Sequence, residues 1–305
     1  MATDPMSTTQ TSGPVVEPPL VVICGPTASG KTALAVKVAQ QCRGEIICAD
    51  SRTVYRGMDI GTAKPTISEQ QGVPHWGLDL VEPGERFTAA QFQRYAQDAV
   101  QVIRARGGVP IIAGGTGLYI DAVIYDYEFG VQADERRRRI LETMSLEELH
   151  NHCYKNNVQL PENIKNKRYV IRAIEQHGVN RKRKASIIDN TLVVGISTET
   201  TILRTRIASR IEQMLQHDVV EEAIILGKKY GWDSQAMTGN IYPLVREYTE
   251  GRLSLLEFQQ KAATLDWRLA KRQLTWFRRN QDIRWLSYNE AEHYLGDVLA
   301  PWMSS

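Results

Sequence analysis

Gly25 to Thr32, reading GPTASGKT, have the residue types and spacing of a phosphate-binding loop. The glycines permit a tight turn whose backbone N–H groups enclose phosphate oxygens at a helix N-terminus. Lys31 adds a point charge, and Thr32 offers a hydroxyl to Mg²⁺. The pattern leaves open whether the ligand is a nucleoside triphosphate or some other diphosphate. An ATPase or GTPase needs a later apolar strand ending in an acidic residue. Here Val109 to Ala113 runs into Gly114, Gly115 and Thr116, and no guanine-reading NKxD element is evident. A small-molecule kinase stays compatible, with Asp50 as the base for a hydroxyl.

Asp50, followed by Ser51, is the best candidate general base, because a carboxylate fixed beside bound phosphate can take a proton from an incoming nucleophile. A turn-capping or Mg²⁺-supporting role fits the same spacing. Thr116, after paired glycines, is placed to donate to a bridging or leaving oxygen. Tyr55 to Pro65 (YRGMDIGTAKP) is rich in turn formers and poor in apolar anchors, which reads as a binding loop rather than core. Arg206 and Arg210 lie one helical turn apart and share a face, as a solvated basic stripe or as a clamp on a leaving diphosphate.

These residues need a scaffold. Leu20 to Cys24, Glu45 to Ala49, Val109 to Ala113 and Leu192 to Ile196 are short apolar runs of the buried-strand type. Lys31 to Gln41 and Thr88 to Arg106 carry helical periodicity, as do the longer stretches Thr201 to Gly227 and Leu253 to Asn280. The fold class is therefore α/β, a parallel sheet of the P-loop NTPase type. In such sheets the loops after the strands' C-terminal ends share one crevice, which brings the phosphate loop, Asp50 and Thr116 together. From Tyr127 to Asn190 the pattern turns helical and charged, giving an inserted subdomain between two parts of the core, 20–126 and 191–305. Residues 1–19, rich in Thr, Ser and Pro, read as a disordered leader.

The net charge of +2 neither requires nor forbids a polyanionic partner, so distribution has to decide. Arg136 to Arg139, Lys165 to Arg172 and Lys271 to Arg279 are each basic. Separately they are solvated faces; together they would form one positive channel, with Tyr169, Trp267, Trp276 and Phe277 interleaved for stacking on bases. The Arg181 to Lys184 run reads as a solvated turn. The four cysteines have no CxxC spacing and indicate neither disulfides nor zinc. No apolar run approaches membrane-spanning length, and the leader lacks the features of a signal peptide. The expectation is a cytoplasmic protein without a membrane partner.

Five segments in order, GPTASGKT at Gly25, DS at Asp50, YRGMDIGTAKP at Tyr55, GGTGLY at Gly114 and AKRQLTWFR at Ala270, resemble the tRNA dimethylallyltransferases, also called tRNA isopentenyl transferases. The resemblance runs from about Leu20 to Leu286. It implies transfer of a dimethylallyl group from dimethylallyl diphosphate to N6 of the adenine at tRNA position 37, just 3′ of the anticodon, with Mg²⁺ and no ATP, by a monomer. It implies that Gly25, Thr27, Ala28, Ser29, Gly30, Lys31 and Thr32 hold the diphosphate with Arg206 and Arg210, and that Thr32 meets the metal. Asp50 would accept the N6 proton, Thr116 would contact the reacting allylic oxygen region, and Lys31 with Arg210 would stabilise the leaving group. For the tRNA anticodon stem-loop it implies contacts from Asp50, Ser51, Arg52 and Thr53, from Arg168, Tyr169 and Arg172 in the insertion, and from Lys271, Arg272, Gln273 and Arg278. The chain departs from the family pattern DxxRxxRALE by carrying Asn166 and Tyr169, and from a Gly-Tyr pair by carrying Ile241 before Tyr242. An adenylate isopentenyltransferase is the nearest rival reading, disfavoured by the basic insertion and the KRQLTWFR segment. A catalytically silent RNA-binding protein has no need of Lys31, Asp50 and Thr116 together.

Overall fold

The computed structural model describes residues 17–130, 134–176 and 184–303. The leader up to residue 16, and Arg181, Lys182 and Arg183 of the basic run, lie outside them. In chain order the elements are β1 (Leu20–Cys24), α1 (Lys31–Gln41), β2 (Glu45–Ala49), α2 (Ile67–Gln70), β3 (His75–Trp76), α3 (Ala89–Ala105), β4 (Pro110–Gly114), α4 (Gly117–Ile124), α5 (Glu135–Thr143), α6 (Leu146–Lys155), α7 (Lys167–Glu175), β5 (Thr191–Ile196), α8 (Thr200–Gln216), α9 (Val219–Tyr230), α10 (Ile241–Thr249), α11 (Leu255–Phe277), β6 (Arg284–Leu286) and α12 (Tyr288–Leu299).

The strands form one six-stranded sheet, ordered β3-β2-β4-β1-β5-β6, and every pairing is parallel. Successive side chains of a strand point to opposite faces, and both faces here are covered. Leu20, Val22, Ile47 and Ile112 pack with Phe92, Ile103, Tyr119, Ile120 and Phe277 of α3, α4 and α11. Val21, Ile23, Ile46 and Ile111 pack with Leu34, Val38, Ala291 and Leu295 of α1 and α12. Burial on both sides is why these strands read as continuous apolar runs rather than alternating ones. The two-residue β3 and three-residue β6 at the edges carry too little apolar sequence to be read as strands.

Two larger cores lie off the sheet. Met58, Ile211, Val219, Met237, Tyr242 and Phe258 join the loop after β2 to α8–α11. Leu141, Leu149, Cys153, Val170, Ile171 and Ile174 close α5, α6 and α7 into a small cluster of their own, inserted in sequence between α4 and β5. The single long helix expected over Thr201 to Gly227 is instead two, α8 and α9, broken at Asp218. That residue is left-handed (φ 61°), a conformation a helix interior does not tolerate. Among the described residues no helix is long and apolar enough to cross a membrane.

Candidate active site

Sheet register determines what meets at the C-terminal edge. Cys24 pairs with Gly114, and Gly114 with Ala49, so Gly25, Gly115 and Asp50 leave three adjacent strands at one level. With strands ~4.8 Å apart, the phosphate loop and Asp50 flank the Gly115–Thr116 turn at a backbone separation of about 10 Å.

On the loop side, Gly30 adopts φ 93° as the N-cap of α1, with no side chain capping it and no acidic residue in the first turn. The helix therefore leaves its N-terminal amides and positive dipole end for an anion. The Lys31 ammonium folds back and donates to the Pro26 carbonyl at 2.6 Å. Burial pushes it down from 10.5 to about 8; Arg210 adds to the fall and Asp50 opposes it. Ser29 is fully buried and its hydroxyl has no partner. An unmatched buried hydroxyl costs about 1–3 kcal/mol, and a phosphate oxygen would satisfy it.

From α8, Arg210 donates through Nη1 to the Thr27 hydroxyl at 2.7 Å, and Arg206 Nη1 donates to the Ala28 carbonyl at 3.4 Å. The arginine pair thus reaches the phosphate loop, with Arg210 half-buried and Arg206 exposed. Arg210 Nη2 also lies 3.9 Å from the carboxylate of Asp266, a residue buried on α11. Opposite, one oxygen of Asp50 accepts the Arg52 N–H at 2.8 Å, and among the described residues the other takes no hydrogen bond. Thr116 Oγ1 accepts the Ser51 N–H at 3.0 Å, and the Thr116 N–H donates to the Ala49 carbonyl at 3.1 Å. Asp50 therefore caps its own turn with one oxygen and leaves the other without a hydrogen bond among the described residues.

A crevice with cationic donors on one wall and a carboxylate on the other suits displacement of an anionic leaving group by a nucleophile that loses a proton. The IPP transferase family model matches residues 53–280. The chain belongs to the IPP transferase family. It is 42% identical over 290 residues to a tRNA dimethylallyltransferase of Desulforudis audaxviator, covering 90% of this chain and 94% of that one. It is 38% identical to a tRNA dimethylallyltransferase of Geobacillus thermodenitrificans, covering 90% and 92%. The crystal structure of a tRNA isopentenylpyrophosphate transferase from Bacillus halodurans superposes with TM-score 0.71 at 35% identity, covering 93% of this chain and 97% of that chain.

As an IPP transferase family member, the chain distributes its sequence-predicted RNA residues unevenly. Lys271, Arg272 and Arg278 on and after α11, and Arg168 and Tyr169 on α7, are solvent-exposed. Several others are already engaged. Arg52 turns its guanidinium to the carbonyls of Gln235 and Ala236, at 3.1 and 3.2 Å. Thr53 is buried. Arg172 pairs with Glu175, which also receives Arg138, so it braces the insertion instead of facing out. Phe277 is a core residue, and Trp276 packs with that core while donating to Asp121 at 2.8 Å; neither is placed to stack on a base. Gln273 points at the phosphate loop, accepting the Thr27 N–H at 2.7 Å.

The loop from Tyr55 to Pro65, expected as a binding loop rather than core, is likewise anchored and contributes to a core. Tyr55 and Met58 are buried. Glu222 accepts the N–H groups of Asp59, Ile60 and Gly61 and the Tyr242 hydroxyl, all within 2.7–2.9 Å. Lys64 binds Asp59, Asp79 and the Tyr55 carbonyl. Its anchors are charges, some within the loop (Asp59, Lys64) and some from elsewhere in the chain (Asp79, Glu222), which local apolar content does not reveal. Of the departures from the family pattern, Asn166 caps α7 by accepting the Arg168 N–H at 3.1 Å, a task an aspartate performs equally well. Ile241 is buried at the start of α10.

Proposed function

We propose that this chain transfers a dimethylallyl group from dimethylallyl diphosphate to the exocyclic N6 of an adenine in tRNA, at position 37 beside the anticodon. The observation that carries the reading is the pairing of a phosphate loop, reinforced by Arg206 and Arg210, with a carboxylate across a single turn. The relatives, tRNA dimethylallyltransferases, support the same chemistry and the same acceptor class.

The adenine amine is a weak nucleophile because its lone pair is delocalised into the ring. Asp50 supplies an acceptor aimed at its proton. As N6 bonds to the allylic carbon, the carbon–oxygen bond to the diphosphate breaks and the diphosphate leaves with the electron pair. The α1 N-terminal amides, Lys31 and Arg210 would meet that developing negative charge, the two cations exchanging the Pro26 carbonyl and the Thr27 hydroxyl for diphosphate oxygens. Arg210 is positioned for this by Asp266. Thr116 is held by the Ser51 N–H and the Ala49 carbonyl at the mid-point between the two walls.

A divalent ion fits the donor chemistry. Thr32 presents one hard oxygen on the exposed first turn of α1, and Mg²⁺ characteristically takes few protein oxygens together with phosphate oxygens and water. Thr32 would hold it, and a bound Mg²⁺ would add charge neutralisation at the diphosphate. For the acceptor, the target adenine has to leave its stack to enter the crevice. The exposed cations of α11 and α7 offer phosphate contacts.

Incubation with labelled dimethylallyl diphosphate and Mg²⁺, in the presence of unmodified tRNA or of AMP, tests the reading. Label should appear in tRNA, at the adenine 3′ of the anticodon. Label on AMP alone would refute a tRNA acceptor.

A further inference from the structure

Gln273 sits in the motif AKRQLTWFR between cations that face solvent, yet its side chain spans the crevice instead of facing out. Its Oε1 accepts the Thr27 N–H of the phosphate loop at 2.7 Å. Its Nε2 donates to the Gly115 carbonyl at 3.1 Å. One amide therefore ties the loop that grips the diphosphate to the turn that carries Thr116, and Thr116 in turn holds the Ser51 N–H next to Asp50.

The fit is close. A Cβ on Gly115 would lie 2.3 Å from Gln273 Nε2, inside any tolerable contact. Gly115 is not in the left-handed region, so its backbone accepts alanine and the side chain of Gln273 is what forbids it. One turn along the same helix, Trp276 approaches Gly117 equally closely, with a Cβ there 2.2 Å from the indole, and donates to Asp121. Two inward residues of α11 thus register that helix against the β4–α4 turn.

We propose that Gln273 is a positioning residue that sets the separation between the diphosphate wall and the acceptor wall of the crevice, and not an RNA contact. It takes up the Thr27 N–H and so fixes the loop, in the shape that receives diphosphate, against the turn that carries Thr116. The inference rests on the prenyl-transfer reading for its purpose. Its geometry concerns diphosphate binding alone, and this is measurable whether or not label reaches tRNA.

The experiment is a double-mutant cycle on the full chain, with the affinity for inorganic diphosphate in Mg²⁺ read by calorimetry. Loss of both amide hydrogen bonds in Gln273→Ala should weaken that affinity about tenfold. Gly115→Ala should weaken it comparably, by driving the same amide away. The double variant should be no weaker than the worse single one, because the added methyl then meets no amide. Gln273→Met keeps length and packing without the hydrogen bonds and guards against simple misfolding; it should bind diphosphate as weakly as Gln273→Ala. In the transfer assay the donor KM should rise with kcat changed less than about threefold, while tRNA affinity and its salt slope stay unchanged. Diphosphate affinities that multiply in the double variant, wild-type diphosphate binding by Gln273→Met, or a loss confined to tRNA affinity would each overturn the proposal. Absence of transfer by the unaltered protein would instead sink the prenyl-transfer reading and leave the cycle to be read as it stands.

Discussion

Replacing Lys31 by methionine should stabilise the protein while abolishing its hold on diphosphate. Burial holds the Lys31 ammonium near 8 against an ordinary 10.5. The unfolded chain thus binds the extra proton between those values, and stability rises as pH climbs from about 8 to about 10.5. Below 8 the full cost is present, about 3 kcal/mol at pH 7. Methionine removes that cost and forfeits the Pro26 hydrogen bond, worth about 1 kcal/mol. The net gain of about 1–2 kcal/mol should raise Tm by a few degrees. The same depressed ammonium makes ligand binding pH-dependent. If the charged form binds, diphosphate affinity should fall about tenfold from pH 7 to pH 9, beyond any fall seen with Lys31→Arg, which stays charged and corrects for the ligand's own ionisation. Calorimetry across that range, with melting curves for the three proteins, checks both halves. A methionine variant that melts below the unaltered protein, or parallel pH slopes for lysine and arginine, would refute the argument.

Asp50→Asn keeps an oxygen for the Arg52 N–H but cannot take a proton. Single-turnover transfer should fall by about 10²–10⁴ with tRNA affinity nearly intact; a large loss of affinity would make Asp50 chiefly a binding residue. Arg168→Ala should reduce the slope of log affinity for tRNA against log salt by about one. Arg172→Ala should leave that slope unchanged and lower stability by about 1–2 kcal/mol, because Glu175 keeps Arg138 but loses its second cation. Salt titrations and urea melts on the two variants separate these outcomes. Glu222→Ala strips the acceptor from three backbone N–H groups and the Tyr242 hydroxyl, and urea denaturation should show a loss of about 3 kcal/mol or more.

What could be read from sequence, and what could not, divides along a physical line. The phosphate loop, β1, β2 and the Asp50 turn are local: a glycine pattern, an apolar run and the residue that follows it specify them within a dozen positions. The parallel register then follows from the α/β alternation, and with it the meeting of Gly25, Gly115 and Asp50. Roles assigned by motif membership fared differently, because a motif does not say which way a side chain points. AKRQLTWFR reads as a basic, aromatic RNA-facing stretch, yet its residues alternate on a helix. Lys271, Arg272, Thr275 and Arg278 are exposed, whereas Ala270 and Phe277 are buried and Gln273 half-buried. The spacing of Asp266, Ala270, Gln273 and Phe277, at intervals of four, three and four, is one face of a helix. Applied to the motif, that periodicity separates the residues turned inward from those left for RNA. It cannot name their partners, since Gln273 meets Thr27 across 246 positions and Asp266 meets Arg210 on another helix. Arg52 and Arg172 show the converse: an arginine in a basic motif is available to RNA only if no carbonyl or carboxylate of the fold has claimed it. Of the two, Arg172 had a visible claimant, Glu175, three positions along its own helix, while the carbonyls that hold Arg52 lie on a distant segment and leave no trace in the local sequence.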